Sequence, residues 1–287
     1  MDKVNFIDEK WDLLIVLDAC RYDYFHSLCN RFFTGSLRKY ISPGSCTIDW
    51  CMKFFLNYYS DIIYISGNPF INSKISIKGF NAKKCFFKIV DVWNSGWDYN
   101  LGTVPPSEIN KHFFDMFRKF PDKRYILHYL QPHAPYLSKK YRSKGYPVPD
   151  LNTQRLLRGV QEDQRNKILE SLIGKLLKRD LRAKLMKKYL KFREVLNLSP
   201  FSPMDDVRRH HGVNGLKEAY KENLIIVLHY IASLSNILLT NNFLQKIVIT
   251  SDHGELLGEK NEFGHICGRK NPLLLEVPWF KVESVVK

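Results

Sequence analysis

The sequence lacks any run of about twenty apolar residues, the length that a membrane-spanning helix needs. The N-terminal segment also lacks the long apolar core and the small-residue cleavage site of a secretory signal peptide. The six cysteines form no CxxC pair and follow no regular spacing. We therefore expect reduced thiols, no membrane span and a cytoplasmic location. No internal repeat is visible.

Acidic residues are scarce relative to basic ones. The chain of 287 residues has 29 Asp and Glu against 44 Lys and Arg, so its formal net charge is +15. This excess favours anionic partners, such as phosphate esters, nucleic acid or an anionic membrane surface, without choosing among them. Hydrophobic residues make up 45% of the chain. That fraction can build a sizeable core, and the length allows one large α/β domain or two small ones; we expect a single domain over residues 1–287.

A carboxylate and an imidazole follow a short apolar run. Residues 243–249 are rich in β-branched side chains and predict a buried strand, and Asp252 and His253 come just after it. They would lie at the carboxyl end of a parallel strand, where open α/β sheets bind ligands. Asp and His both ligate divalent metals such as zinc. A polar turn that caps the next helix is the alternative.

Asp18 occupies the same position after the first predicted strand, residues 11–17. A lone Asp at a strand end is more often a helix cap than a metal ligand. Arg21 follows, and it either pairs with Asp23 or holds an anionic substrate. Further apolar runs, with residues 11–17 and 243–249, predict the strands of a largely parallel sheet. These further runs are residues 61–66, 85–93 and 124–130.

Two hydroxyl side chains precede a predicted helix. Residues 42–47 are rich in turn formers and residues 47–56 look helical, so Ser45 and Thr47 lie at or near a helix N-terminus. Ordinary N-capping explains them. The same place also favours an anion, because backbone N–H groups and the positive end of the helix dipole meet there. A hydroxyl beside a metal can act as a nucleophile.

Two histidines lie in predicted loops. His133 follows the strand at 124–130 and stands in a stiff loop between Pro132 and Pro135. His265 lies in a glycine-bounded loop beyond His253. A loop histidine is usually only solvated, but His133 is at the edge of the sheet where ligand-binding loops are expected.

Residues 139–212 differ in composition from the rest of the chain. They open with a basic run, and residues 162–197 have an amphipathic helical pattern with a strongly basic polar side. We interpret residues 139–212 as a helical insertion or lid that packs on the body. The alternative is peripheral contact of residues 139–196 with an anionic membrane or polymer. A long helix is predicted over residues 214–239.

These segments together resemble, in their order, the alkaline phosphatase superfamily and especially its sulfatase-like branch. The resemblance covers most of the chain except residues 139–212. It implies a three-layer α/β/α sandwich with a largely parallel central sheet. The segments that carry it are 17–23, 45–47, 132–136, 251–255, 264–265 and 276–279.

The resemblance also implies roles for individual residues. Thr47 would be the nucleophile, and His133 and His265 would contact the substrate or leaving group. Arg21 would offset substrate charge. The cofactor would be a divalent metal, either Zn, Mn, Mg or Ca, and its implied ligands are Asp18, Thr47, Asp252 and His253.

The sequence departs from the family in two places. Sulfatases carry Cys-x-Pro-Ser-Arg, but residues 46–50 read Cys-Thr-Ile-Asp-Trp, so Cys46 is a poor nucleophile and its replacement should be nearly silent. The Pro-Asp-x-x-x-His segment of two-metal branches is also absent. We therefore expect one ion, or an unusual second site that uses His133 and His265.

The predicted function is that of a metal-dependent hydrolase or transferase acting on phosphoric, rather than sulfuric, esters. A covalent intermediate would form on Thr47 and be released by water or by an acceptor hydroxyl, and the sequence leaves both open. The alternative from another class is a non-catalytic protein on the same fold that binds anions, membrane or nucleic acid.

Overall fold

A seven-stranded sheet is the centre of the computed structural model, which describes residues 9–143, 145–150 and 202–286 together with Lys188 and Pro200. The described strands are, in chain order, β1 (Leu13–Asp18), β2 (Phe33–Ile41), β3 (Tyr59–Ser66), β4 (Phe86–Asp91), β5 (Arg124–Pro132), β6 (Ile247–Ser251), β7 (Leu256–Leu257), β8 (Phe263–Gly264) and β9 (Glu276–Val285). The described α-helices are α1 (Tyr22–Leu28), α2 (Thr47–Phe54), α3 (Val92–Ser95), α4 (Pro106–Phe117), α5 (Pro203–Thr240) and α6 (Pro272–Leu275). Short 3-10 turns lie at Cys29–Arg31, Ala82–Lys84, Lys139–Tyr141 and Glu259–Asn261.

The strand order in the main sheet is β2-β9-β6-β1-β5-β3-β4. Strands β6, β1, β5, β3 and β4 are parallel to one another, and β9 is antiparallel to both of its neighbours. Because the parallel strands end at one edge, the loops after β6, β1, β5 and β3 lie side by side. Strands β7 and β8 form a separate antiparallel pair.

Both faces of the sheet are covered. Alternate residues of β1 enter two different cores, since successive strand side chains point to opposite faces. Leu13 and Leu17 lie in the core that α1, α4 and α5 build on one face. Leu14 and Val16 lie in the core that contains Trp50 of α2 on the other face. The three-layer α/β/α arrangement predicted from the sequence is confirmed.

Helix α5 is a core helix with a kink. Gly212 has φ 68° and ψ −175°, so the helical path is interrupted there. Within the described residues, α5 is long and apolar enough by length and composition to cross a membrane, although half of its most apolar stretch is buried in the protein. Leu224, Leu228 and Ile231 are fully buried and belong to the core that covers the sheet. This packing is that of a core helix.

Five strands predicted from the sequence are confirmed as β1, β3, β4, β5 and β6, with shifted ends. The prediction for β6 began too early, because residues 243–246 form the connection after α5. The two antiparallel-sheet strands, β2 and β9, were not predicted. Most of the predicted basic insertion, including the helical pattern at 162–197, lies outside the described residues.

The prediction that all six cysteines are reduced is wrong for two of them. Cys46 and Cys267 form a disulfide, whereas the four other cysteines are free and buried. The pair is separated by 221 residues, so only the fold brings the two sulfur atoms together. The cytoplasmic location, which was inferred in part from reduced cysteines, is not confirmed.

Candidate metal and catalytic site

The carboxyl edge of the sheet gathers polar side chains from four neighbouring strands. Asp252 follows β6, and Asp18 ends β1 beside it. His128 lies within β5, and Asn68 follows β3. Asp18, Asp252 and His253 each place one ligand atom within 4.8 Å of those of the others, and all three residues are buried. The strand-end prediction therefore located these residues correctly.

Thr47 enters this cluster from α2. The helix begins at Thr47, and Cys46 is its N-cap residue, with its sulfur accepting from the Asp49 N–H. The Thr47 hydroxyl donates to Asp252 Oδ2 at 2.7 Å, and its oxygen lies 3.4 Å from His253 Nε2. The Ser45 hydroxyl points elsewhere, donating to the Ile266 carbonyl at 2.8 Å. Of the two candidate hydroxyls, only that of Thr47 contacts the cluster.

The turn after β1 is held in a conformation that few side chains adopt. Ala19 has φ 59°, in the left-handed region. Its N–H donates to Asp252 Oδ1 at 3.1 Å, and its carbonyl accepts from the Tyr220 hydroxyl at 2.7 Å. The same hydroxyl accepts from the Arg21 N–H at 2.9 Å. These buried bonds offset the local strain and fix Asp18 next to Asp252.

His253 directs a nitrogen lone pair at the carboxylates. Its Nδ1 lies 2.9 Å from the Gly254 carbonyl, which can only accept, so Nδ1 carries the hydrogen. Burial lowers the pKa of His253 to about 4, against the opposing charge of Asp252, and the ring is neutral near pH 7. Its Nε2 lone pair then faces Asp252 Oδ2 at 3.4 Å and Asp18 Oδ1 at 3.8 Å.

His128 is a buried histidine that the sequence analysis did not single out. Its Nδ1 lies 2.8 Å from the Tyr64 hydroxyl. Its Nε2 is buried without a hydrogen-bond partner and lies 3.9 Å from Asp18 Oδ2 and 3.8 Å from Asp252 Oδ2. Burial lowers the pKa of His128 to about 4. A neutral imidazole therefore faces the two carboxylates from the sheet side.

The two carboxylates lie together without a compensating basic side chain. Burial raises the pKa of Asp18 well above its usual range, and the charge of Asp252 adds to this effect. Burial also acts to raise the pKa of Asp252, but His253, His128 and a hydrogen bond from Thr47 outweigh it. Among the described residues, no Lys or Arg forms an ion pair with either carboxylate.

The donor set fits a divalent cation. It combines two carboxylates, one hydroxyl and an imidazole lone pair, and these groups suit ions such as Zn or Mn. A cation would also relieve the repulsion between the His253 lone pair and the carboxylate oxygens. Asn68 supports the set from behind, since its Nδ2 donates to Asp18 Oδ2 at 2.6 Å.

A second cluster lies beside the first and is more open. Glu255 is fully buried, whereas the His133 and His265 side chains are 22% and 24% exposed. His265 Nδ1 donates to Glu255 Oε1 at 2.9 Å. His133 Nδ1 lies 2.6 Å from the Ala134 carbonyl, and its Nε2 lies 3.7 Å from Glu255 Oε2. The ring centroids of His265 and His253 are 4.2 Å apart, so the clusters touch.

Glu255 gives the two histidines different pKa values. Burial lowers the pKa of His133 below its ordinary value, and the attraction of Glu255 does not restore it. Burial also acts to lower the pKa of His265. The charge and the hydrogen bond of Glu255 outweigh this effect of burial, so the pKa of His265 lies above its ordinary value. His265 therefore holds a proton more strongly than His133 does, and the pair offers one better proton donor and one better acceptor.

Arg21 pairs with Asp23, which the sequence analysis gave as the alternative to contact with an anionic substrate. Its guanidinium donates to both carboxylate oxygens of Asp23, at 2.9 and 2.7 Å, and to Glu259 Oε1 at 2.6 Å. It also donates to the Glu255 carbonyl at 3.4 Å. With its donors engaged by two carboxylates, Arg21 braces the segment that follows β6. The geometry gives no support to its predicted contact with substrate.

The sequence-predicted residues thus fall into three groups. Asp18, Thr47, Asp252 and His253 form the buried cluster, His133 and His265 form the open one, and Arg21 stands apart. The sequence analysis missed His128, Asn68 and the linking role of Glu255. One signal for His128 was present in the sequence, because this histidine interrupts the apolar run at residues 125–130 of β5.

No family model matches this sequence, and no curated protein matches it either. Solved structures do. A phosphonate monoester hydrolase of Agrobacterium radiobacter is 11% identical, with a TM-score of 0.52 over 96% of this chain and 68% of that one. The C-terminal periplasmic domain of EcEptC from Escherichia coli, in complex with Zn, is 12% identical, with a TM-score of 0.49 over 98% and 75%.

The C-terminal periplasmic domain of the phosphoethanolamine transferase EptC from Campylobacter jejuni is 14% identical, with a TM-score of 0.48 over 94% of this chain and 77% of that chain. At these identities a likeness concerns the fold alone, and the phosphonate monoester hydrolase, with its TM-score of 0.52, is the structure that carries it. The shared fold is the mostly parallel mixed sheet with flanking helices that is described above for this chain. The chain therefore has the alkaline phosphatase-like fold, and the resemblance found in its sequence is confirmed at that level.

Proposed function

We propose that this chain is a metal-dependent hydrolase or transferase of phosphoric esters, with Thr47 as its nucleophile. The observation that carries the proposal is the contact of the Thr47 hydroxyl with Asp252 Oδ2, at 2.7 Å, inside a cluster of buried ligand groups. The positive end of α2 lies at the same residue and favours the negative charge of a phosphate.

The buried cluster would hold one divalent cation through Asp18, Thr47, Asp252 and His253. When bound, such an ion favours the ionised form of a hydroxyl and offsets charge on the phosphoryl group. The chain's own part is to keep the ligands in place. His253 is oriented by its bond to the Gly254 carbonyl, and Asp18 by its bond from Asn68.

The first chemical step would be attack of Thr47 Oγ1 on phosphorus. A new O–P bond forms on Thr47 while the P–O bond to the leaving group breaks. The hydroxyl proton passes to Asp252 Oδ2, the atom to which it is already donated. His265, whose pKa the charge and hydrogen bond of Glu255 raise, is the group that supplies a proton to the departing oxygen.

The second step would move the phosphoryl group from Thr47 to water or to an acceptor hydroxyl. A new O–P bond forms on the acceptor, the Thr47 Oγ1–P bond breaks, and Thr47 regains its proton from Asp252. His133, whose pKa burial lowers, accepts the proton of the acceptor on its Nε2 lone pair. Glu255 lies between the two histidines and orients His265 directly. The identity of the acceptor decides between hydrolase and transferase.

A second cation is the alternative use of the open cluster. His133, Glu255 and His265 place their ligand atoms within 4.8 Å of one another. Glu255 Oε2 is buried without a hydrogen-bond partner and faces the His133 Nε2 lone pair. Either a proton on His133 or a second ion would satisfy this oxygen. Metal stoichiometry therefore separates the one-ion and two-ion forms.

The anionic partner proposed for residues 139–196 stays a prediction, as does the non-catalytic alternative. A binding protein would purify without stoichiometric metal and would bind anionic polymers with steep salt dependence. Elemental analysis of the purified chain distinguishes this class from a metalloenzyme before any substrate is known.

The test of the proposal is a screen of phosphomonoesters, phosphodiesters, phosphonate monoesters and sulfate esters with added Zn or Mn. We expect turnover of at least one phosphorus ester and weak or no turnover of sulfate esters. Rapid quenching and peptide mass spectrometry should then place a phosphate on Thr47. Phosphate on Ser45, or full activity of Thr47→Ala, would overturn the assignment.

A further inference from the structure

The loop that carries His265 is fastened to the N-terminus of α2. The disulfide between Cys267 and Cys46 links this loop covalently to the N-cap residue of the helix. Ser45 adds two hydrogen bonds, donating to the Ile266 carbonyl at 2.8 Å and accepting from the Arg269 N–H at 2.9 Å. Residues 262–270, which we call the His265 loop, thus attach to the segment that presents Thr47.

The disulfide joins the backbones on which two proposed reacting groups stand. Cys46 immediately precedes Thr47, and Cys267 lies two residues after His265. The α-carbons of the two cysteines are 5.0 Å apart. A bond at this place holds the His265 backbone at a set distance from the Thr47 backbone.

The His265 loop packs unevenly. At its start, Phe263 packs against the cluster that contains Tyr220, and β8 pairs with β7. Beyond β8 the packing is sparse, since Ile266 is 50% exposed. The local apolar cluster consists of Cys46, Ile48 and Ile77 with Phe70 and Cys267 at its margin, so the two cysteines are themselves part of it. A loop with few buried apolar contacts opens readily when a cross-link is removed.

The two sulfur atoms differ in access. Cys46 is buried, whereas Cys267 is half-exposed. The four free cysteines, by contrast, are all buried. Cys267 is therefore the less buried partner, and it is the side from which a dithiol in solution would approach the bond.

We propose that the Cys46–Cys267 disulfide is a redox-dependent positioning device, which sets His265 against the phosphoryl group that Thr47 attacks. The inference rests on the proposed function. A dithiol attacks the Cys267 sulfur, the S–S bond breaks, and the second thiol releases the mixed disulfide. Both cysteines end as thiols while the dithiol is oxidised to its own disulfide. The part of the His265 loop beyond β8 then keeps its hydrogen bonds to Ser45 and Asp49 but loses its covalent tie to α2, and activity falls. This replaces the expectation that changing Cys46 is nearly silent.

The variants separate the disulfide from the helix cap. Serine is a favoured N-cap residue, so Cys46→Ser keeps the cap of α2 while it removes the cross-link. Cys267→Ser removes the same bond from the loop side. Cys85→Ser is the matched control, because it changes a free cysteine whose sulfur contacts the Phe55 carbonyl at the C-terminal end of α2.

The experiment compares the full-length oxidised protein, the dithiol-treated protein and the double variant Cys46→Ser/Cys267→Ser. Activity is measured on two phosphate esters, one with an aryl and one with an alkyl leaving group. Since only the alkyl oxygen needs a proton, we expect kcat to fall on the order of tenfold to a hundredfold for the alkyl ester and less for the aryl ester. Hydrogen exchange of residues 262–270 gives a readout that needs no activity.

Support would be faster exchange in the His265 loop on reduction, unchanged exchange in β1 and β6, and a double variant that no longer responds to the dithiol. Unchanged exchange on reduction would overturn the proposal, as would equal losses for the two esters. Alkylation that finds Cys46 and Cys267 as thiols in the oxidised protein would also overturn it. If reduction loosens the His265 loop but none of the three protein forms turns over a phosphoester, the proposed function is wrong, whereas the role of the disulfide in holding the loop is supported.

Discussion

Thr47 Oγ1 lies 2.7 Å from Asp252 Oδ2, although 205 residues separate them in the chain. The contact joins the first residue of a helix to the end of a central strand. We expect Thr47→Ala to lower kcat on the order of 10³-fold or more, because it removes the atom that forms the covalent bond. Thr47→Ser keeps that atom and should retain a measurable fraction. Steady-state kinetics on the best phosphorus ester measures both.

The control for Thr47 is Ser45→Ala, which removes a hydroxyl two residues away that bonds the His265 loop. We expect it to have only a moderate effect. A loss of kcat in Ser45→Ala as large as the one expected for Thr47→Ala would point to Ser45 as the nucleophile instead.

Asp252→Asn and His253→Ala should each lose bound metal while the protein stays folded. Each change removes a ligand atom from a site in which three residues share one small volume. Elemental analysis after gel filtration measures the metal, and circular dichroism checks the fold. Asp115→Asn is the matched control, since Asp115 pairs with Arg118 on the surface of α4. Stoichiometric metal in either site variant would remove that residue from the ligand set.

His128→Ala should weaken metal binding about tenfold to a hundredfold, the range seen when groups that support a metal site are removed. The His128 imidazole faces the carboxylates of Asp18 and Asp252 from inside the sheet and helps to keep them in position for the metal. Competition with a chromophoric chelator measures the affinity. Tyr64→Phe removes only the partner of the other ring nitrogen and should have a smaller effect. Equal affinity in His128→Ala and the wild type would make His128 a packing residue.

The pH dependence should follow the two histidines of the open cluster. His133 must be neutral to accept a proton, so kcat/KM rises through its lowered pKa on the acid side. His265 must be protonated to donate one, so kcat/KM falls through its raised pKa on the alkaline side. Glu255→Gln removes the charge that raises the pKa of His265, and the alkaline limb should move to lower pH.

A complete pH–rate profile of both proteins measures the shift. An alkaline limb that stays in place in Glu255→Gln would show that another group titrates there. The isosteric Gln keeps the shape of the side chain, so a change in packing does not explain a moved limb.

The parallel core of the fold was predictable because its strands carry continuous apolar runs, as in residues 13–17. Their ends located Asp18 and Asp252. His128 could not be assigned in the same way, since a single histidine inside an apolar strand is usually a core residue. The disulfide was not predictable either, because the spacing of Cys46 and Cys267 carries no local pattern.

The edge strand β2 was missed for a different reason. Its side chains are mostly exposed, and Gly35 interrupts it, so it shows neither an apolar run nor a clear alternation. Strand β9 contains Pro278, a residue that argues against a strand. Both belong to the antiparallel side of the sheet, where the local pattern is weak and the pairing is set by distant parts of the chain.

The pairing of β2 with β9 has a consequence for the growing chain. Ribosomes make β2 long before its partner in the sheet, which is the last of the described strands, and Phe33 pairs with Val285. Throughout synthesis of the intervening residues, β2 has no strand to bind. Its polar residues, such as Arg38 and Lys39, suit a segment that must wait in water without joining a neighbouring nascent chain. The polar side chains that make β2 hard to predict from its sequence pattern are thus also the ones that keep it hydrated until β9 has been synthesised.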